Sequence, residues 1–488
     1  MIAKTLMVQG TASSVGKSTL VTALCRIYAR RGLSVAPFKS QNMALNSAVT
    51  PDGSEIGRAQ YAQAEAAGAI PSADMNPILL KPERLSTSQV IVLGKPIGSM
   101  NFRDYHRRKL ELREVVGAAL DRLRARHDLV LIEGAGSPAE VNLREHELVN
   151  MWVAARAEAP VLLVTDIDRG GALAALVGTL ELLDPADRRR VRGLLINKFR
   201  GDLSLFADGV RFLEARCDKP VLGVISHMGD TGIASEDSLD LRPRGQTGIE
   251  VVAIRLPRLS NFDELEGLAR TPGVALQWAE AGADLDRAAL VILPGSKATT
   301  SDLSWLRRTG LAQALEARAR RGGPVLGICG GFQMLGDWIS DPEGIESGSA
   351  QVPGLGLLPV VTRFEREKIT RRVALRLNTG IPLLGAGAGQ EVHGYEIHHG
   401  RVAVNATARP FGWIDESPEG ALSPDLPVAG TLVHGLLENP VLLRALLRGL
   451  GVTAEIPLPP DPYEALADHV SQAVDLKRLD EIVGLASS

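Results

Sequence analysis

Cys329 stands in Pro324-Val-Leu-Gly-Ile-Cys329-Gly-Gly331, a short apolar run that ends in a glycine-flanked cysteine. A buried strand that turns sharply into a helix at such a point exposes a nucleophile. Gly327, Gly330 and Gly331 relieve the crowding of the turn. Main-chain N–H groups then lie beside the thiol, where they can stabilise an oxyanion, and a helix predicted from Phe332 to Ile339 adds a partial positive charge. The same string also suits a small buried core cysteine, so two readings stay open at this level.

A second chemical string lies near the other end of the chain. Gly10-Thr-Ala-Ser-Ser-Val-Gly16-Lys17-Ser18 follows the first apolar run and opens the first predicted helix, which is the setting of a phosphate-binding loop. Its glycines let backbone N–H groups curl around phosphate oxygens, Lys17 offers a charge, and Ser18 can hold Mg²⁺. The spacing departs by one residue from the usual pattern, so Thr11 takes the place of the first glycine. ATP binding is the expectation. Leu129-Val-Leu-Ile-Glu133-Gly-Ala-Gly136 puts an acid at the C-terminal end of a predicted parallel strand, where α/β sheets hold ligands, and makes Glu133 a candidate Mg²⁺ ligand. Asp166 and Asp168 end the following strand in the same manner, without an assigned role.

The elements that must carry these residues alternate from the start. Apolar runs at 5–8, 34–38, 129–132, 161–165, 194–197 and 221–225 are separated by helical stretches, which predicts a parallel, doubly wound sheet. A polar, turn-rich stretch at 242–248 reads as a linker. Alternation resumes at 250–256, 290–293 and 325–328. The fold class expected is therefore α/β with two doubly wound domains. The boundaries expected are 1–241 for a P-loop domain, 249–447 for a second domain, and 448–488 for a C-terminal tail that is rich in proline near Pro457–Pro462 and then helical.

Composition sets the outer bounds. A chain of 488 residues is too long for one ordinary core, which predicts about two to four domains. Hydrophobic residues at 45% and charged residues at 23% give an ordinary globular balance, and no apolar stretch reaches membrane-spanning length. The amino terminus lacks the layout of a signal peptide, so a cytoplasmic protein is expected. A formal charge of −3 supplies no basic field for nucleic acid. Cys25, Cys217 and Cys329 are far apart and show no metal-ligand spacing, which argues against a disulfide framework.

Taken together, these strings resemble the cobyric acid synthases, glutamine-dependent amidases of cobalamin biosynthesis. The first half resembles the dethiobiotin-synthetase-like ATPases through Gly10 to Ser18. More specific matches are Lys39-Ser-Gln-Asn-Met-Ala-Leu-Asn-Ser47, Glu55-Ile-Gly-Arg-Ala-Gln60, Asn76-Pro-Ile-Leu-Leu-Lys-Pro82 and Glu133-Gly-Ala-Gly-Ser-Pro-Ala-Glu140. The second half resembles a class I glutamine amidotransferase, a flavodoxin-like fold, through Leu293-Pro-Gly-Ser296, Gly327 to Gly331, Gly394-Tyr-Glu-Ile-His398 and Gly430-Thr-Leu-Val-His434-Gly435.

The resemblance implies amidation of four peripheral carboxylates (b, d, e and g) of adenosylcobyrinic acid a,c-diamide, with nitrogen from glutamine and activation by ATP and Mg²⁺. It implies Cys329 as nucleophile and His434 as base. Main-chain N–H groups near Gly295 and Gly330 are the candidates for the oxyanion hole, inferred from their two turns. It further implies Asn197 near adenine and Glu55 beside Ser18 and Glu133 around the metal. Many relatives with this glutaminase fold carry a glutamate two residues after the histidine, whereas this chain has Leu436. Glu438 is one candidate to orient the imidazole, a Cys-His pair alone is another, and His398 and His399 are rivals for the base. Other acids remain open as substrates, namely the a,c-diamide step or a cell-wall carboxylate, and so does a P-loop switch protein with a passive second domain.

Overall fold

The computed structural model describes residues 2–84, 86–229, 233, 248–280, 285–346, 350–378, 389–405, 407–452 and 461–485. The expected linker at 242–248 lies outside the described residues except for Gly248, and so does most of the proline-rich stretch. Two compact units emerge. One comprises Met1–Ala44, Ser54–Ile233 and Pro459–Ser488, and the other Leu45–Gly53 and Ala234–Leu458. Among the described residues no helix is long and apolar enough to cross a membrane.

In the first unit a six-stranded parallel sheet runs in the order Val221–Ser226, Val191–Phe199, Val161–Asp166, Lys4–Gly10, Leu129–Glu133, Val35–Phe38. Its central strands are buried on both faces, as at Leu129–Glu133, because helices cover both sides of a parallel sheet. Continuous apolar runs rather than alternation follow from that. Register aligns the strand ends: Val8 pairs with Glu133, Gly10 with Val164 and Asp166 with Asn197. The phosphate-loop residues, Glu133, Asp166 and Asn197 thus all come to the C-terminal edge of the sheet, where ligands bind in such folds. A smaller sheet formed by Gln41–Met43, Ile78–Arg84, Thr87–Val92 and Lys95–Asn101 was not expected from the sequence.

Of the tail expected at 448–488, Pro459–Ser488 group with the first unit. Helix Pro462–Ala473 lies on helix Lys17–Arg30. There Arg26 meets Glu464 and Asp461, and Arg30 meets Glu464 and Asp468, while Arg31 meets Asp480 of the following helix Leu476–Val483 at 2.7 Å. Leu466, Ala467 and Val470 enter the same apolar cluster as Leu20, Leu24 and Tyr28, and this burial rather than the surface ion pairs accounts for the docking.

The second unit holds another mainly parallel sheet, ordered Val274–Ala279, Ile249–Ile254, Leu290–Leu293, Val325–Ile328, Val428–Thr431, Ala421–Leu422, with the last strand antiparallel. Leu293 pairs with Gly327, and Ile328 with Thr431. Three neighbouring strands therefore deliver Gly295, Cys329 and His434 to one edge. A long antiparallel hairpin, Val360–Leu377 with Glu391–Val404, completes the unit. Its first strand begins with buried and exposed residues in alternation, the signature of a sheet with one solvated face.

Candidate active site

The phosphate loop forms as its glycines require. Gly16 caps helix Lys17–Arg30 in the left-handed region at φ +98°, and a Cβ there would lie 2.1 Å from Asn197 Nδ2. Only glycine fits. Lys17 Nζ donates to the carbonyls of Ala12 (2.9 Å) and Gly136 (3.2 Å), which curls the loop around its ammonium. Asn197 Nδ2 donates to Val15 O (2.9 Å), and Lys198 Nζ bridges Ser14 O and Asp166 (2.8 and 2.9 Å). Asn197, expected near adenine, braces the loop directly, and Asp166, expected without a role, does so through Lys198. Thr11 Oγ1 reaches Thr165 Oγ1 at 3.1 Å.

Ser18 Oγ donates to Glu133 Oε1 at 2.8 Å, so the two expected metal ligands meet. Lys39 Nζ donates to the same oxygen at 2.8 Å, and Gln63 Nε2 to Oε2 at 2.7 Å. Glu133 is 1% exposed, and a carboxylate so buried needs these three donors. A hydroxyl and a carboxylate are the hard oxygen donors that Mg²⁺ takes, with water and phosphate oxygens completing its shell, so the residues fit the ion. Glu55, the further expected ligand, is fully buried and paired with Lys81 at 2.9 Å.

In the second unit Cys329 sits at φ +48°, ψ −107°, a strained conformation for a side-chain-bearing residue. Packing holds it there: a Cβ on Gly331 would lie 1.8 Å from Leu293 O, and one on Gly330 would lie 2.8 Å from Ser296 N. The elbow and the Pro294–Ser296 turn are interlocked. Gly330 opens a helix, so its N–H has no partner within that helix and lies beside the Gly295 turn.

The Cys329 sulfur lies 3.9 Å from Ile397 O, and its charge acts on the His434 imidazole. His434 Nδ1 faces Glu264 Oε1 at 2.9 Å, while Glu264 Oε2 accepts from Gly435 N at 3.1 Å. Burial opposes charge on the imidazole, but the Cys329 and Glu264 charges and the Glu264 hydrogen bond prevail and raise its pKa to about 10. A cysteine, an imidazole and a carboxylate in this chain can form a thioester with an amide and shuttle its proton. The other two cysteines are different. Burial pushes the thiol pKa of Cys25 and of Cys217 up, as in inert core positions.

The CobQ/CobB/MinD/ParA nucleotide binding domain family matches residues 6–239, and the CobB/CobQ-like glutamine amidotransferase domain family matches residues 250–441. Three similar curated proteins carry one name. The cobyric acid synthase of Sorangium cellulosum (strain So ce56) is 52% identical, covering 99% of both chains. Those of Moorella thermoacetica (48%, 99% of this chain and 98% of the relative) and Dehalococcoides mccartyi strain CBDB1 (45%, 99% of each) are comparably similar. The chain belongs to the cobyric acid synthase family. It is an enzyme that joins a P-loop nucleotide-binding domain to a glutamine amidotransferase domain.

Within this cobyric acid synthase family member, the group behind the histidine is Glu264, which sequence reading missed. It comes from the short turn Phe262–Leu265 early in the domain, and nothing in its local sequence marks it. Glu438 and a bare Cys-His pair were the two alternatives for that position, and the Nδ1 contact goes to Glu264. The rivals for the base are occupied elsewhere. His398 Nδ1 bonds Gly400 O at 2.8 Å and its Nε2 faces Glu396, while His399 Nδ1 bonds Glu365 O at 3.1 Å. The Gly394–His398 string finds its explanation too. A Cβ on Gly394 would lie 2.5 Å from His434 O, so glycine lets the hairpin cross the histidine closely and lays Tyr395 over the ring.

Proposed function

We propose that this enzyme uses ATP and glutamine to amidate the b, d, e and g carboxylates of adenosylcobyrinic acid a,c-diamide, giving adenosylcobyric acid in cobalamin biosynthesis. One observation carries the reading. A chain akin to cobyric acid synthases along 99% of its length holds both the Lys17–Ser18–Glu133 constellation and the Cys329–His434–Glu264 chain.

In the glutaminase half, Cys329 Sγ attacks the side-chain amide carbon of glutamine, and the Gly295 and Gly330 N–H groups face the oxygen that gains charge. His434 takes the thiol proton and gives it to the departing nitrogen, which leaves as ammonia. It then takes one from the water that splits the thioester to glutamate. Glu264 fixes the tautomer and steadies the imidazolium.

In the nucleotide half, a carboxylate is a poor electrophile until phosphorylated. Its oxygen attacks the γ-phosphorus and ADP leaves; ammonia then attacks the acyl carbon of the resulting acyl phosphate, and phosphate departs as the amide forms. Lys17 offsets charge on the phosphate oxygens. Ser18 and Glu133 would hold Mg²⁺, which when bound supplies further neutralisation there.

The test is product mass spectrometry with ATP, Mg²⁺, glutamine and each candidate acid. Four successive replacements of a carboxyl hydroxyl by an amino group on the corrinoid diamide are expected. Amidation of cobyrinic acid or of a cell-wall acid instead would redirect the substrate assignment. Absence of glutamate release, with nucleotide and corrinoid present, would sink the amidotransferase reading.

A further inference from the structure

Residues Leu45–Gly53 leave the nucleotide-binding unit after Ala44, rejoin it at Ser54, and in between belong to the glutaminase unit. The excursion begins a few residues after Lys39, whose ammonium sits on Glu133. Its polar contacts are specific. Leu45 O accepts from Ser260 Oγ (2.9 Å), Ser47 N donates to Asn261 Oδ1 (3.0 Å), and Ser47 O accepts from Tyr395 Oη (3.4 Å). Asn46, Ser47 and Thr50 are all buried, and Val49 packs with Tyr395 and Ile397.

The two elements it grips are those that frame the His434 ring. Ser260 N donates to Gly295 O (3.0 Å), and Asn261, at φ +53°, opens the turn that carries Glu264. On the other side the Tyr395 ring stacks on the imidazole, with centroids 5.5 Å apart and planes 19° apart. The two backbones are bridged as well, His434 N to Tyr395 O at 2.8 Å and Tyr395 N to His434 O at 3.1 Å. The stack covers one face of the base and resists its rotation, whereas Glu264 fixes one edge. Plain filling of space would need neither the phenol hydrogen bond nor the paired contacts at Ser260 and Asn261.

We propose that Tyr395 is a positioning residue for His434 and that the Leu45–Gly53 segment of the same unit sets it. This rests on the reading of Cys329 and His434 as the glutaminase pair. A displacement of the segment would shift the Glu264 turn and the Tyr395 ring together.

The experiment uses the full-length enzyme and compares Tyr395→Phe, Tyr395→Leu, Asn261→Gly and Asn261→Asp with glutamine and with ammonium salt as nitrogen donors. Loss of the stack in Tyr395→Leu should lower glutamine-dependent kcat about three- to tenfold, with the KM for glutamine and the ammonia-dependent rate close to wild type. Tyr395→Phe keeps the ring and loses the Ser47 contact, so a smaller fall in the same parameter is expected. Asn261→Gly keeps the left-handed backbone and removes the acceptor, and should fall likewise, while Asn261→Asp, which retains the acceptor, should recover. Unchanged glutamine-dependent kcat in Tyr395→Leu and Asn261→Gly would overturn the proposal, as would equal losses with both nitrogen donors. Should Tyr395→Leu fail to fold, Tyr395→Phe and the Asn261 pair decide alone. A wild-type enzyme that releases no glutamate would sink the glutaminase reading itself, and this proposal with it.

Discussion

His434 Nδ1 and Glu264 Oε1 stand 2.9 Å apart across 170 residues of sequence, both side chains almost wholly buried. The second carboxylate oxygen is held by Gly435 N, so the acid has one orientation and the imidazole one tautomer when neutral. Burial alone would discharge this histidine. Its pKa is instead raised to about 10, because two negative partners outweigh the lost solvation.

Glu264→Gln removes one of those charges and leaves the shape. Glutamine-dependent kcat should fall about 10²- to 10⁴-fold, as for loss of the acid behind a catalytic histidine elsewhere. The sign of the pH effect follows from the raised value. The imidazolium persists until pH climbs through about 10, so the variant's basic limb in a pH–rate profile should move to lower pH. The same linkage bears on stability: its contribution is full below the ordinary histidine value and fades as pH approaches about 10. An unmoved basic limb would show that Glu264 does not act through His434.

Cys329→Ala should abolish glutamine-dependent amidation and spare the ammonia-dependent reaction, because the two half-reactions use different domains. Lys17→Ala should remove both by stripping charge compensation from the phosphates. Initial rates with each donor check this. Equal loss with both donors in Cys329→Ala, or retained synthesis in Lys17→Ala, would contradict the division of labour.

The parallel sheets were legible because strands buried on both faces read as uninterrupted apolar runs, and all six expected in the first unit are present within a few residues of their predicted bounds. The sharp turn at Cys329 and the loop before Lys17 were legible because glycine at fixed spacing leaves a mark. Glu264 and the Leu45–Gly53 excursion were not. A lone acid in a short turn and a chain segment that changes units leave no periodic signal, and their meaning arises only from contacts over hundreds of residues. The 360–404 hairpin was missed for a related reason: a half-solvated strand carries many charges and resembles loop or helix in composition.

Gly331→Ala is expected to destroy the elbow. The added methyl would lie 1.8 Å from the Leu293 carbonyl, which is backbone in a central strand and has nowhere to go. A loss of about 3 kcal/mol or more is expected from such overpacking, together with loss of glutaminase activity. Gly178→Ala provides the contrast: it lies within helix Ala172–Leu182 with nothing within 4 Å of the new Cβ, and should stabilise by about 0.5–1 kcal/mol. Thermal or denaturant unfolding of the two variants checks both signs.

Lys39→Met tests the buried Lys39–Glu133 pair of the first unit. Lys39 and Glu133 are 2.8 Å apart and barely exposed, so removing the ammonium takes a charged partner from a carboxylate that Ser18 and Gln63 also hydrogen-bond. Breaking a buried pair from one side costs about 3–5 kcal/mol, and those remaining donors should bring the loss toward the lower figure. A divalent cation beside Ser18 and Glu133 would restore the missing positive charge. The stability deficit of the variant should therefore be largest without ligands and should shrink when Mg²⁺ and ADP are added together, by more than ADP alone achieves. Thermal shifts of wild type and variant under the three conditions supply the readout. A deficit that stays constant across them would mean that the metal does not take over the charge at Glu133.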